Sequence, residues 1–216
     1  MFDQTVLNYL PATIRELLAG LPSFEGQLLE IRLRINRPLQ LITTTGDFFV
    51  RSIRGRSETY LITREDLDTA LKLLTENSLY AMKQELKEGF ITIKGGHRVG
   101  LTGEVVLKNN QINLISNISS LNYRITREFP GIARGLVEYI FNKETGGIYS
   151  TLLISPPLCG KTTILRDLIR LISYGQSELG LSGKKVGVVD ERSELGGTWQ
   201  GIPQTDLGPR TCNSFF

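Results

Sequence analysis

The stretch LLISPPLCGKTTILRDLIR, Leu152 to Arg170, decides how the second half of the chain is read. An apolar run, a short loop and an amphipathic helix follow one another in it without a gap. Eight residues in its middle, Ser155 to Thr162, fit the pattern G-x-x-x-x-G-K-[ST] at every position except the first. Each matching residue has a physical role there. Gly160 lets the backbone approach an anion closely, and the first N–H groups of the following helix point at it. Lys161 reaches the β- and γ-phosphates of a nucleotide, and the Thr162 hydroxyl ligates Mg²⁺. Pro157, Leu158, Cys159 and Thr163 complete the expected phosphate cradle, and ATP with Mg²⁺ is the expected ligand.

Two departures weaken the pattern. Ser155 stands where the first glycine belongs, and Leu158 where glycine is frequent. If the Leu158 position demands a left-handed backbone, a non-glycine residue costs roughly 1–2 kcal/mol. That is about tenfold in a binding constant, enough to weaken a site and too little to abolish it. The alternative is an ordinary loop that happens to carry Gly-Lys-Thr.

The neighbourhood supports the first reading. Downstream, KKVGVVDER is an apolar strand ending in the carboxylates Asp190 and Glu191, the chemistry that Mg²⁺ binding and water activation need. Its alternative is an acidic strand end facing water. Upstream, IARGLVEYIFN reads as a helix, Gly146-Gly147 as a break and YSTLLIS as a strand. Strand, loop, helix, strand is a βαβ unit of a parallel sheet. Pro130-Gly131 marks the expected boundary between domains spanning 1–130 and 131–216.

The first domain has a different grammar. TVLNYLPATIRELLAGLP carries apolar residues at helical spacing. In LLEIRLRINRP, Leu29, Ile31, Leu33 and Ile35 share one face, and Glu30, Arg32 and Arg34 the other. A hairpin turning at Thr45-Gly46-Asp47 and a short strand at TYLIT follow. Thr63 caps a helix over 64–76, and a second helix begins after Ser78 and runs through LYAMKQELKE to Gly89. Two or three antiparallel strands turn at Gly95-Gly96 and Asn109-Asn110, and LNYRITRE adds another.

Composition narrows the function. Among 216 residues, 25 basic and 22 acidic side chains leave a net charge of +3, with no basic arm, so no nucleic-acid partner is expected. Cys159 and Cys212 have no metal spacing. A cysteine inside a phosphate loop suits a reducing compartment, and the absence of a signal peptide or apolar span indicates a cytoplasmic chain. His97 is the sole histidine, so no serine–histidine relay or multi-histidine metal site can be built. It reads as a strand residue near a turn. Trp199 and Tyr123 read as local packing rather than base stacking.

Taken in order, EIRLR (30–34), GGHRVGLTGE (95–104), SSLNYRITRE (119–128), SPPLCGKTTILRDLIR (155–170) and VGVVDERSEL (186–195) resemble the stage III sporulation protein AA family, which is similar to the ATPases of type II and type IV secretion and of pilus retraction. The resemblance runs from about residue 10 to 210. It implies an α/β fold: an N-terminal α+β domain followed by an incomplete RecA-like P-loop ATPase domain. It implies Mg-ATP hydrolysis, self-assembly into a ring, and service to a transenvelope channel between mother cell and forespore, peripheral to channel membrane proteins. VVDERSE is similar to the acidic box of secretion ATPases, which adds Glu194 to Asp190 and Glu191. Arg98 and Arg124 lie in segments where an arginine of such enzymes reaches the nucleotide, although arginines on such strands often simply face water. In the family pattern the Walker B strand comes after GIPQTDLGPRT, whereas here CNSFF closes the chain. The ending therefore reads as a truncation or frameshift, with hydrolysis impaired. The rival reading is a non-catalytic fragment or scaffold that binds channel components or full-length subunits.

Overall fold

The computed structural model describes residues 4–21, 27–50, 59–76, 83–108, 111–156 and 159–214. It divides into two compact units, Met1–Thr126 and Arg127–Phe216. Both are mixtures of helix and strand, and the larger sheet is antiparallel throughout.

Unit 1 begins with two short helices, α1 (Gln4–Leu7) and α2 (Ala12–Ala19). One continuous helical pattern is thus split at Pro11, which cannot donate to the ladder and restricts the residue before it. Strands β1 (Leu28–Arg34), β2 (Gln40–Thr43) and β3 (Gly46–Phe49) follow, then helices α3 (Arg64–Leu74) and α4 (Lys83–Glu88). Strands β4 (Phe90–Ile93), β5 (His97–Lys108) and β6 (Gln111–Arg124) complete one six-stranded sheet in the order β3-β2-β1-β6-β5-β4. The expected strand at TYLIT is only an isolated bridge, Pro38 to Leu61. The expected extra strand at LNYRITRE is the end of β6. The turn at Asn109-Asn110 and the start of the second helix at Ser78 lie outside the described residues.

Alternation explains the sheet. Ile31 and Leu33 from β1, Val99 from β5, and Leu121 and Tyr123 from β6 are buried together with Leu10 between the N-terminal helices, Ile14 and Leu18 of α2, and Leu67 and Ala70 of α3. Glu30, Arg32 and Arg34 alternate with the buried positions and stay partly exposed. The β5–β6 register shifts between Thr102 and Glu104, at Gly103. A Cβ at Gly103 would collide with the Ser116 carbonyl oxygen, so the bulge needs glycine.

Helix α3 starts as its sequence indicates. Thr63 Oγ1 accepts from the Asp66 N–H at 3.1 Å, and Asp66 Oδ2 accepts from the Thr63 N–H at 2.9 Å, a reciprocal capping box. Asp66 is only 5% exposed. Its carboxylate also accepts from Tyr60 Oη at 2.8 Å, Thr63 Oγ1 at 2.8 Å and Thr13 Oγ1 of α2 at 2.9 Å. Burial alone would raise the carboxyl pKa, but these donors outweigh it and hold the value below its ordinary 3.8. The same contact, with burial as the larger cause, pushes the Tyr60 phenol up to about 12.

Unit 2 contains α5 (Arg134–Ile140), a tight hairpin of β7 (Phe141–Asn142) and β8 (Gly147–Ile148), and α6 (Lys161–Tyr174). A second small hairpin, β9 (Gly175–Gln176) with β10 (Leu181–Ser182), leads to β11 (Val186–Val189) and β12 (Thr211–Ser214). Leu168 and Leu171 of α6 pack with Val137 and Phe141, and Ile169 packs with Val188 and Leu207.

The βαβ expectation is corrected here. Residues 149–156 form no strand, and the parallel pair that does form joins β11 to β12. A strand exists through its partner's hydrogen bonds, and beyond the Tyr149 N–H, which donates to the Ile140 carbonyl at 2.8 Å, no ladder forms along this run among the described residues. Leu152 and Ile154 are accordingly 81% and 79% exposed.

Asp66→Ala is expected to lower the stability of unit 1 by about 2–4 kcal/mol, because four donors lose a buried acceptor. A folded carboxyl pKa below its unfolded value stabilises fully above the unfolded value and progressively less as pH falls through the folded one. Acid denaturation followed by circular dichroism should therefore be shallower below pH 4 in Asp66→Asn than in the parent. Equal slopes would remove Asp66 from the account.

Candidate functional site

Gly160 opens α6 in the left-handed conformation, φ 78° and ψ 16°. Among the described residues, its chain neighbours aside, a Cβ there would meet no atom within 4 Å, and glycine is favoured by its backbone angle. The first intrahelical bond runs from the Ile164 N–H to the Gly160 carbonyl at 2.9 Å. The amides of Lys161, Thr162 and Thr163 precede it and have no intrahelical acceptor. They share one end of a 14-residue helix, where the macrodipole favours an anion.

Lys161 extends back along the loop. Its Nζ donates to the carbonyls of Ser155 at 2.9 Å and Pro156 at 3.0 Å, and approaches Ser155 Oγ at 3.4 Å. Cys159 and Gly160 are exposed, and Thr162 and Thr163 half-buried. Pro157 and Leu158 lie outside the described residues. Oriented amides, a lysine and a hydroxyl at one helix end fit a phosphate chain. Among the described residues no cluster of three His, Cys, Asp or Glu could hold a metal. Beside a phosphate chain, the Thr162 hydroxyl oxygen would fit one position around a Mg²⁺.

The acidic segment after β11 is a folded loop. Asp190 is 4% exposed. Its Oδ1 accepts from the Glu194 N–H at 2.8 Å, and its Oδ2 from Leu195 at 2.9 Å and Gly196 at 2.8 Å. Three of its roughly four lone-pair sites are thus committed to shaping the loop, and a metal role would use what remains. Ser193 takes a positive φ of 52° and accepts the Thr198 N–H at 2.6 Å. Glu191 and Glu194 are carried on the exposed side of this loop.

Arg98 and Arg124 are direct neighbours across β5 and β6, and Glu30 lies opposite Arg124 on β1. Like charges side by side are unfavourable in a sheet. Glu30 offsets this at 3.4 Å from Arg124 Nε, and the Arg98 guanidinium stacks 4.6 Å from the Phe90 ring centroid. Both arginines belong to unit 1. His97 is buried; Nδ1 accepts the Thr126 N–H at 3.1 Å, which leaves Nε2–H to face Thr5 Oγ1 at 3.2 Å. The packing of Tyr123 includes a hydrogen bond from its hydroxyl to the Tyr9 carbonyl at 2.9 Å.

The sequence reading missed two residues of α6. Asp167, 5% exposed, accepts the N–H groups of Gly131 at 3.0 Å and Ala133 at 2.9 Å and pairs with Arg170 at 2.7 Å. Burial would raise its pKa; the two amides and the guanidinium outweigh that and lower it. Arg166, one residue earlier, donates to the carbonyls of Leu195 at 2.8 Å and Glu194 at 2.7 Å. The available signal was a charged pair on the helix after the phosphate loop, with Asp167 and Arg170 at i,i+3 spacing.

Against known proteins, residues 2–213 match the family described as sporulation stage III, protein AA. The chain is 39% identical over 206 residues to Stage III sporulation protein AA of Bacillus subtilis (strain 168), covering 95% of this chain and 63% of that protein. It thus spans less than two thirds of that relative's length. Among solved structures, the ATPase DotB of Legionella pneumophila is 12% identical at a TM-score of 0.45, covering 95% of this chain and 51% of that one. DotB of Yersinia pseudotuberculosis is 10% identical at 0.47, covering 95% and 52%.

Asp190→Ala should leave three amides without an acceptor and destabilise the loop by about 2–3 kcal/mol. Hydrogen exchange at Glu194, Leu195 and Gly196 should accelerate by two orders of magnitude or so, in keeping with that energy. Unchanged protection would mean that the loop is held by other contacts.

Proposed function

The chain belongs to the sporulation stage III, protein AA family, and on that premise we propose that it binds ATP with Mg²⁺ as a secretion-type ATPase subunit. The observation that carries this is Gly160-Lys161-Thr162 at the start of α6, with a left-handed glycine and a lysine turned back along the loop. Lys161 and the first α6 amides would hold the phosphates, with Cys159 and Thr163 beside them; Pro157 and Leu158 complete the proposed cradle. Thr162 and Asp190 would meet the metal, which supplies charge neutralisation on the phosphates. Glu191 and Glu194 would orient or deprotonate water, and Arg98 and Arg124 would stabilise developing charge in an assembled ring. The proposed setting is the cytoplasmic side of a channel between mother cell and forespore, with copies of itself and channel membrane proteins as partners. No described helix is long and apolar enough to cross a membrane.

A second reading, a non-catalytic scaffold for channel components or longer subunits, is favoured by one observation. Leu152, Ile154 and Val189, all in unit 2, are 81%, 79% and 74% exposed, more apolar surface than an isolated unit gains from displaying.

The test is equilibrium binding of a fluorescent ATP analogue with Mg²⁺, beside Lys161→Ala. Micromolar binding that weakens at least about a hundredfold, or 2.7 kcal/mol, in the variant is the expected outcome. A folded chain silent at millimolar nucleotide would sink the ATP reading. Pull-down of partners that is indifferent to Lys161→Ala would then support the scaffold.

A further inference from the structure

We infer that Arg166 is a positioning residue that fixes the Asp190–Gly196 loop against the phosphate-binding end of α6. The inference deepens the ATP reading and rests on it. Thr162 and Arg166 are four residues apart on one helix, so they lie on the same face, about 6 Å apart along the axis. The face that presents the Thr162 hydroxyl therefore also presents the guanidinium that grips the acidic loop.

The grip is specific. Nε donates to the Leu195 carbonyl at 2.8 Å and Nη2 to the Glu194 carbonyl at 2.7 Å, while Nη1 reaches the Arg127 carbonyl at 3.3 Å. Three nitrogens of one planar group thus meet three backbone acceptors, a geometry an ammonium cannot copy. Arg166 is half-buried, which strengthens these bonds relative to surface ones.

Asp190 sets the loop's internal shape, and Arg166 limits how far and how often the loop opens away from α6. Asp190 gathers the amides of 194–196 by itself, and Thr205 Oγ1 donates separately to the Leu195 carbonyl at 2.7 Å. Arg166 instead determines where that preformed loop stands relative to Thr162, and so where Glu191 and Glu194 stand. Its loss should separate nucleotide binding from metal use. Phosphate contacts from Lys161 and the helix amides persist, whereas the Mg²⁺-dependent part of the affinity depends on placement of the acidic loop.

The experiment uses the full chain, its Arg166→Ala, Arg166→Lys and Lys161→Ala variants, and a fluorescent ATP analogue titrated with Mg²⁺ or with EDTA. For Arg166→Ala, metal-free affinity should stay within about threefold of the parent while at least about tenfold of any Mg²⁺-dependent gain is lost. Arg166→Lys should fall between. Hydrogen exchange over 190–198 should rise in both variants, and circular dichroism should stay unchanged. Retention of the full Mg²⁺ gain in Arg166→Ala overturns the inference, as does equal loss of metal-free and metal-dependent binding. If Arg166→Ala does not fold, Arg166→Lys carries the same comparison. Failure of the parent chain to bind nucleotide at all overturns the ATP reading instead. The loop clamp is then judged by exchange alone, and unchanged protection of 190–198 in the variants overturns it.

Discussion

A carboxylate taken out of water must be surrounded by donors or lose several kcal/mol, and this one constraint organises both units. Asp66, Asp167 and Asp190 are 5%, 5% and 4% exposed. Each is met by backbone amides at a junction where loop becomes helix or strand becomes loop. Asp66 closes the start of α3 and reaches back to α2 through Thr13. Asp167 collects the amides just ahead of α5, and Asp190 those that follow β11. Unit 2 has small apolar clusters, seven buried residues in one and three in the other. Its loops therefore take their shape from these charged contacts more than from hydrophobic burial.

Features written into local chemistry were legible. The Thr63 cap, the alternation of β1 and the glycines between β4 and β5 depend on residues close in the chain, and the structure has them where the sequence points. The run Tyr149–Ser155 was read as a strand from its apolar content. Such a run becomes a strand only when another edge hydrogen-bonds to it, and that depends on residues far away. Arg166 and Asp167 escaped notice for the same reason. In a helical pattern they look like solvated charges, and their backbone partners lie on segments 28 or more residues away.

The arginine row on the unit 1 sheet shows how an apparently exposed charge can be held in place. Arg98 and Arg124 face each other across the β5–β6 pair, an arrangement that costs stability without compensation. Phe90 supports one, and Glu30 attracts the other while also pairing with Arg32 at 2.7 Å. The alternation in LLEIRLR placed these charges on one face. It could not show that a single glutamate serves two arginines, because that sharing depends on the β1–β6 register.

The proposed phosphate loop trades donors for rigidity. Pro156 and Pro157 have no N–H, so two amides that a glycine-rich loop could turn toward phosphate are absent. Lys161 already satisfies the carbonyls of Ser155 and Pro156. A nucleotide would thus exchange one set of lysine contacts for another, and exchange yields less net free energy than new bonds. Against this, proline's ring restricts φ, so a sequence with two prolines has less conformational entropy to lose. A bound anion's contacts would then fall on the amides of Gly160, Lys161, Thr162 and Thr163, at the end of the chain's longest described helix. Affinity in such a loop is concentrated at the helix terminus, so the stability and placement of α6 matter more to it than the residues between Ser155 and Cys159. Arg166 and Asp167 hold that helix to the acidic loop on one side and to the start of α5 on the other. A loop poor in glycine can therefore hold a phosphate chain to the extent that its helix is held.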